Sequence, residues 1–386
     1  MLTWINFLHI YQPPTQSKEI VDLVVRESYE TIVRVLNSYP KLKITLNISG
    51  SLIELLEKNG HQNLLADFKK LAEEKRIELV GSAMYHPLLA LLPESEIVRQ
   101  IELHNEISKR YFGDAYNPKG FFIPEMAYSK KVADIVEKMG FTWLILDGMH
   151  AASVTPNPEV HYTIEGTNLS VVFRDREFSK TFPPEFIVEN KDKIQHSAIV
   201  IAHDGELYGH WHKDDRGYYQ KAFQESDIQF KTISDYISGL QISDTIKVQE
   251  GSWESLPAEI SANVPYALWN NPSNMIHSMM WSFARFVLTT IEHHSQDQNY
   301  ISSRHLLDQG LASCAWWWAT SEKLVATSPI CWNPTEIEKG AALMLLALRS
   351  LRHADDEKII AEKSFGELRT LIWITHWQYE KNNKIL

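Results

Sequence analysis

Up to about residue 255 the chain alternates between short runs of apolar and β-branched residues and longer stretches in which apolar positions recur every three or four residues. The short runs read as buried strands and the longer ones as amphipathic helices, so their alternation predicts βα units around a parallel sheet. The predicted strands are "TWINFLH", "KITLNIS", "IELVGS", "GFFIP", "TWLILD", "AIVIAHD" and "IKVQEG". Helices are predicted at 19 to 37, 63 to 75, 94 to 112, 129 to 139 and 218 to 239, several opened by Ser, Asn or Asp and closed near Gly. One stretch departs from the series. Residues 160 to 175, "VHYTIEGTNLSVVFRD", predict an antiparallel hairpin with a Gly-containing turn.

After "NNPSNMIHSMM" the strand signal stops, and helices are predicted at 274 to 294, 302 to 320, 334 to 352 and 356 to 379. The expected organisation is an α/β domain over 1 to 265 and a helical domain over 266 to 386 that packs on it. No low-complexity linker separates the two.

Composition narrows the classes of function. A formal net charge of -11 and the absence of any Lys/Arg-rich block give no footprint for a nucleic-acid backbone. Only Cys314 and Cys331 occur, so neither a disulfide framework nor a Cys/His zinc spacing is expected. The N-terminus has no cationic leader, and no apolar run reaches the roughly 18 residues of a membrane span, which points to a cytoplasmic protein. The 12 Trp, 15 Tyr and 16 His exceed what a core requires, and aromatic faces are platforms for sugar rings.

In parallel α/β domains chemistry gathers at the carboxyl ends of the strands. Here those ends carry His9, Tyr11 and Gln12; Tyr85 and His86; Glu125; Asp147 and His150; His203, Asp204, Glu206, His210 and Trp211; and Glu250, Trp253 and Glu254. Each also has an ordinary explanation. A carboxylate after a strand often caps a helix, but Ser129 is a better cap for the next helix than Glu125. Asp204 follows an apolar strand into the rim, where desolvation would raise its pKa and suit it to act as a general acid. His9 can be a satisfied buried histidine, His86 can tie down a loop, and Asp147 can be a turn residue. Trp316, Trp317 and Trp318 point three ways on a helix, so at least one belongs to a core. The histidines of 203 to 212 suggest a metal, but no HExxH motif accompanies them, and neither metal nor cofactor is expected.

Several ordered motifs resemble glycoside hydrolase family 57, the retaining α-glucan-active enzymes with a distorted (β/α)7 barrel and a helical C-terminal domain. "LHIYQPP", "VGSAMYHPLL", "GFFIPEMAYS" and "AHDGELYGHW" look like four successive family regions, and "GSWES", "NMIHSMM" and "ASCAWWWA" look like later segments. The resemblance implies Glu125 as nucleophile and Asp204 as general acid/base. His9, Gln12, His86, His210, Trp211, Trp253, Trp316 and Trp317 would then bind an α-glucan or malto-oligosaccharide substrate. In one departure, Tyr11 stands where the family usually has its second His.

Retention needs the two carboxyl groups about 5 to 5.5 Å apart. Hydrolysis in the manner of an α-amylase is the expected activity, with 4-α-glucanotransfer or branching as the alternative. Two other classes are a metal-dependent polysaccharide deacetylase, which needs an Asp with two paired His, and a non-catalytic sugar-binding protein.

Overall fold

Strands form where the apolar runs predict them: β1 (Leu2–Ile10), β2 (Ile44–Ile48), β3 (Ile77–Leu79), β4 (Gly120–Phe121) and β5 (Trp143–Asp147). They are followed by β6 (Val160–Ile164), β7 (Ser170–Arg174), β8 (Ala198–Asp204), β9 (Ile228–Lys231) and β10 (Ile242–Ile246). The computed structural model describes residues 1 to 152, 154 to 320 and 332 to 383, so Cys331 lies outside the described residues. β1, β2, β5 and β8 are buried along almost their whole length, as parallel strands covered on both faces must be.

β1 runs parallel between β2 and β8, and β3 extends that sheet beyond β2. In a second sheet β4, β5 and β7 are parallel neighbours. Two junctions join the sheets. Gly81, just past β3, bridges Phe121 of β4, donating its N–H to Gly120 O at 2.9 Å and accepting from Phe122 N at 2.9 Å. Beyond β7, Asp175 N–H donates to Val200 O of β8 at 2.8 Å. The seven strands β1, β2, β3, β4, β5, β7 and β8 therefore follow one another in a ring, the expected distorted (β/α)7 barrel. The predicted hairpin is present as β6 antiparallel to β7, with β10 parallel to β6 outside the ring.

Four elements differ from expectation. The helix predicted over 218 to 239 is split into Tyr218–Phe223 and Ile233–Ile237 around β9. Buried Ile228 and Phe230 flank exposed Gln229, a period of two that pairs with Leu2 to Ile5 of β1 and overrides the helical pattern. The strand expected in "IKVQEG" is displaced, because β10 ends at Ile246 and its exposed positions 242 to 245 form a strand by pairing with β6 rather than by burial. The first helix contains a π-helical turn, Val25–Tyr29. The helix predicted over 302 to 320 breaks into Tyr300–Gly310 and Cys314–Trp317, with Ala312 between them bridged to Pro87.

Two compact units result. One comprises Met1–Gln12, Gln16–Met84 and Leu89–Trp253; the other takes the chain from Glu254 together with Pro13–Thr15 and Tyr85–Leu88. His86 is thus grouped with the unit that holds the helices after Glu254. That unit's long helices, Met275–His293, Tyr300–Gly310, Pro334–Ser350 and Asp355–Asn383, bury Met280, Trp281, Leu307, Met344 and Leu345. Among the described residues no helix is long and apolar enough to cross a membrane.

Ring closure depends on small residues at the β3–β4 junction. A Cβ on Gly120 would lie 2.1 Å from the Trp143 indole, which is itself buried and donates to Ser234 Oγ. Gly120→Ala is therefore expected to destabilise the barrel by about 1–3 kcal/mol through overpacking, read as a lower urea midpoint at unchanged slope.

Candidate active site

The register of β1 with its two neighbours builds the first half of the site. His9 pairs with Asn47 of β2 on one side and with Asp204 of β8 on the other, so the three side chains form one row across three strands. His9 Nδ1 lies 2.7 Å from Asn47 Oδ1, and Phe122 packs on the ring at 4.7 Å. Burial pushes the His9 pKa down to about 4, so the ring beside Asp204 is neutral at physiological pH. His203 points to the opposite face, bonded to Asp204 O at 2.8 Å and stacked on Tyr208; burial holds it neutral as well.

The turn that follows Asp204, Gly205–Leu207, is gripped by the π-helical turn. Three consecutive residues reach it: Glu27 Oε2 lies 2.7 Å from His210 Nδ1, Ser28 Oγ donates to Gly205 O at 2.9 Å, and Tyr29 Oη donates to Glu206 Oε1 at 2.5 Å. π-turns inside α-helices recur at functional sites. Gln12 adds a donor to Glu206 Oε1 at 3.3 Å and bonds Tyr29 and Gln16, so its amide supports the Glu206 carboxyl. Burial first, and the charge of Asp204 second, push the Glu206 pKa up to about 8. The residue two positions after Asp204 is thus a buried acid that holds its proton well above the usual carboxylate range.

Glu125 stands in the turn Pro124–Met126 beyond β4. Both Glu125 (φ 60°) and Met126 (φ 47°) occupy the left-handed region, which costs of order 1–3 kcal/mol per non-glycine residue. The turn is held from outside. Trp253 donates its backbone N–H to Glu125 O and its indole N–H to Glu125 Oε2, both at 3.0 Å, while Tyr128 N–H donates to Gly251 O at 2.9 Å. "GSW" therefore lies along "PEMAY", and the carboxylate faces a fixed donor that suits an anion. Ser129 caps the next helix by accepting from Val132 N, as expected, which leaves Glu125 no capping duty.

The other expected site residues fall in different settings. His210 is half-buried against Glu27, Trp211 is 60% exposed, and Trp253 is nearly buried beneath its own hydrogen bonds. In the helical unit, His86 is buried with Nδ1 3.1 Å from Ser313 Oγ. Trp316 is 1% exposed and stacked on Trp281 at 4.4 Å, which corrects the expectation that it faces a ligand: it is core. Trp317 is half-buried, edge-on to Trp318 at 4.6 Å.

Asp147 is not a free rim carboxylate. It is fully buried and paired with Arg174 at 2.7 Å, while its Oδ1 accepts from Met149 N. Among the described residues no three His, Cys, Asp or Glu side chains are grouped to hold a metal ion. His210 and His212 are spaced as His-x-His, but one faces Glu27 and the other stacks on Phe182.

Asn47, Tyr29 and Arg174 were absent from the expected set. Asn47 and Arg174 had a signal in the sequence, as polar residues inside apolar strands; Tyr29 lies in an amphipathic helix and had none.

The glycosyl hydrolase family 57 model matches residues 18–249. The chain is 26% identical over 283 residues to an alpha-amylase of Pyrococcus horikoshii, covering 66% of this chain and 44% of that protein. It is 24% identical over 285 residues to a 4-alpha-glucanotransferase of Thermococcus litoralis, covering 66% and 42%. The chain thus spans less than half the length of these relatives. The crystal structure of 4-alpha-glucanotransferase from Thermococcus litoralis superposes with a TM-score of 0.70 at 17% identity, covering 91% of this chain and 60% of that one. A family 57 branching enzyme from Thermococcus kodakaraensis superposes with a TM-score of 0.69 at 15% identity, covering 90% of both chains. At such identities the superpositions show a shared fold.

Glu206 yields a test. A carboxyl that binds its proton more tightly in the folded chain stabilises folding below its unfolded pKa of 4.5, and that contribution is lost as pH rises through about 8. Glu206→Gln keeps the shape and removes the ionisation. Its melting temperature relative to wild type should therefore rise steadily between about pH 5 and pH 8; a constant difference would mean that Glu206 is already ionised at the lower pH.

Proposed function

The chain belongs to glycosyl hydrolase family 57, and on that premise we propose that it is a retaining glycosidase acting on α-linked glucans, with Glu125 as nucleophile and Asp204 as general acid/base. The observation that carries this reading is the strained turn that holds Glu125 under the Trp253 indole N–H, because a left-handed glutamate at a barrel strand end is sustained only where the surroundings insist on it. Asp204, in its row with neutral His9 and coupled to buried Glu206, is the complementary group.

In the first step Glu125 attacks the anomeric carbon while the glycosidic C–O bond breaks and Asp204 gives its proton to the departing oxygen. In the second, Asp204 takes a proton from the acceptor, whose oxygen displaces Glu125 with a second inversion. The pair must stand about 5 to 5.5 Å apart for this course. Burial keeps the His9 ring beside Asp204 neutral, and Asp204 is the proton carrier of that row.

Water as acceptor makes the enzyme α-amylase-like, and a sugar hydroxyl makes it a glucanotransferase or branching enzyme. The relatives named alpha-amylase and 4-alpha-glucanotransferase support both acceptors. We take hydrolysis as the first reading.

Incubation with maltoheptaose tests the reading. New reducing ends mean hydrolysis; longer and shorter products at constant reducing ends mean transfer; no change on any α-glucan removes the proposal. Glu125→Gln should abolish turnover in a folded chain, and near wild-type activity would refute its role. Asp204→Asn should slow maltoheptaose turnover by about 10²–10⁴-fold, while the first step on α-glucosyl fluoride, whose leaving group needs no proton, should fall far less.

A further inference from the structure

Arg174, the last residue of β7, is 5% exposed and touches both halves of the site. Its Nη1 donates to Ala202 O at 2.8 Å, two residues before Asp204 on β8. Its Nη2 reaches Trp253 O at 3.5 Å, and the guanidinium carbon stands 5.0 Å from the centre of the Trp253 ring. Trp253 in turn holds Glu125 by two hydrogen bonds. The third side of the fork is fixed by Asp147, its register partner on β5, through Nε to Oδ2 at 2.7 Å.

A buried ion pair of this kind adds little to stability compared with apolar packing. What it supplies is a planar group with donors in fixed directions, and a lysine ammonium cannot reproduce that fork. One guanidinium thus connects the backbone that carries Asp204 to the indole that carries Glu125.

We infer that Arg174 is a positioning residue that sets the placement of Glu125 relative to Asp204 by holding Trp253, an inference that rests on the two-carboxylate reading above. Arg174→Lys keeps the charge opposite Asp147 but loses the contacts to Ala202 O and to the indole. It should lower kcat on maltoheptaose by about 100-fold while KM stays within about threefold, because misplacement of roughly 1 Å acts on the chemical step rather than on substrate binding.

The decisive comparison is the full-length double variant Arg174→Lys/Trp253→Phe. If Arg174 acts through Trp253, the double variant is no slower than Trp253→Phe alone within about threefold; losses that multiply overturn the inference. Wild-type kcat in folded Arg174→Lys overturns it too. Should Arg174→Lys fail to fold, Arg174→Met with Asp147→Asn removes both buried charges, keeps an acceptor for the Met149 N–H and leaves Arg176, which is 19% exposed, to solvent; it gives the same readout. If wild type has no activity on any α-glucan, the function reading fails separately. The ¹⁹F line of 5-fluorotryptophan at Trp253, assigned by its loss in Trp253→Phe, then decides the geometry: a shift in Arg174→Lys supports the placement, and an unmoved line overturns it.

Discussion

Parallel pairing of β1 with β8 puts His9 opposite Asp204 and Leu8 opposite His203, and a slip of one residue along either strand would turn this row to the other face of the sheet. β8 is apolar up to His203 and Asp204, and β1 is buried from Trp4 to Ile10 with Asn6 satisfied by Tyr208, so burial itself holds the register. Everything at the rim is built outward from that pairing. Asn47 fixes the His9 ring from β2, the π-helical turn grips the loop after Asp204, and the ring of strands brings β4 round to present Glu125.

Burial shifts the ionisation of the groups around Asp204. His9 and His203 are pushed down to about 4 and are neutral near pH 7, and Glu206 is pushed up to about 8 by burial first and by the charge of Asp204 second. Arg174 is buried too, and Asp147 and backbone carbonyls meet its donors. Asp204 thus lies beside the neutral His9 ring, and the guanidinium of Arg174 is held against Asp147 and the Trp253 face. Such preorganised donors and dipoles stabilise developing charge without reorganising during the reaction.

The barrel strands were legible because buried parallel strands leave uninterrupted apolar runs, and the Glu125 and Asp204 positions were legible because each run ended in a carboxylate. β9 was not, since its period of two is only three residues long inside a helical pattern, and β10 was not, since backbone pairing forms it without an apolar signature. The environment of Glu206 could not be read from "HDGELYGH", because the groups that bury it, Tyr29 and Gln12, come from elsewhere in the chain. The same distance in sequence hid the Asp147–Arg174–Trp253 connection, whose members are spread over more than a hundred positions. Trp316 was misplaced for a simpler reason: three consecutive tryptophans on a helix cannot be sorted into core and rim until the neighbouring helix is known.

The central claim is a covalent glycosyl intermediate on Glu125. A mechanism-based trap such as 5-fluoro-α-glucosyl fluoride, followed by protease digestion and mass spectrometry, tests it most directly. The account predicts one added fluoroglucosyl group on the peptide containing "FFIPEMAYSK", located at Glu125, with turnover lost in proportion to labelling. Labelling of a different carboxylate, or turnover of the fluoride to an inverted product with no adduct, would contradict it.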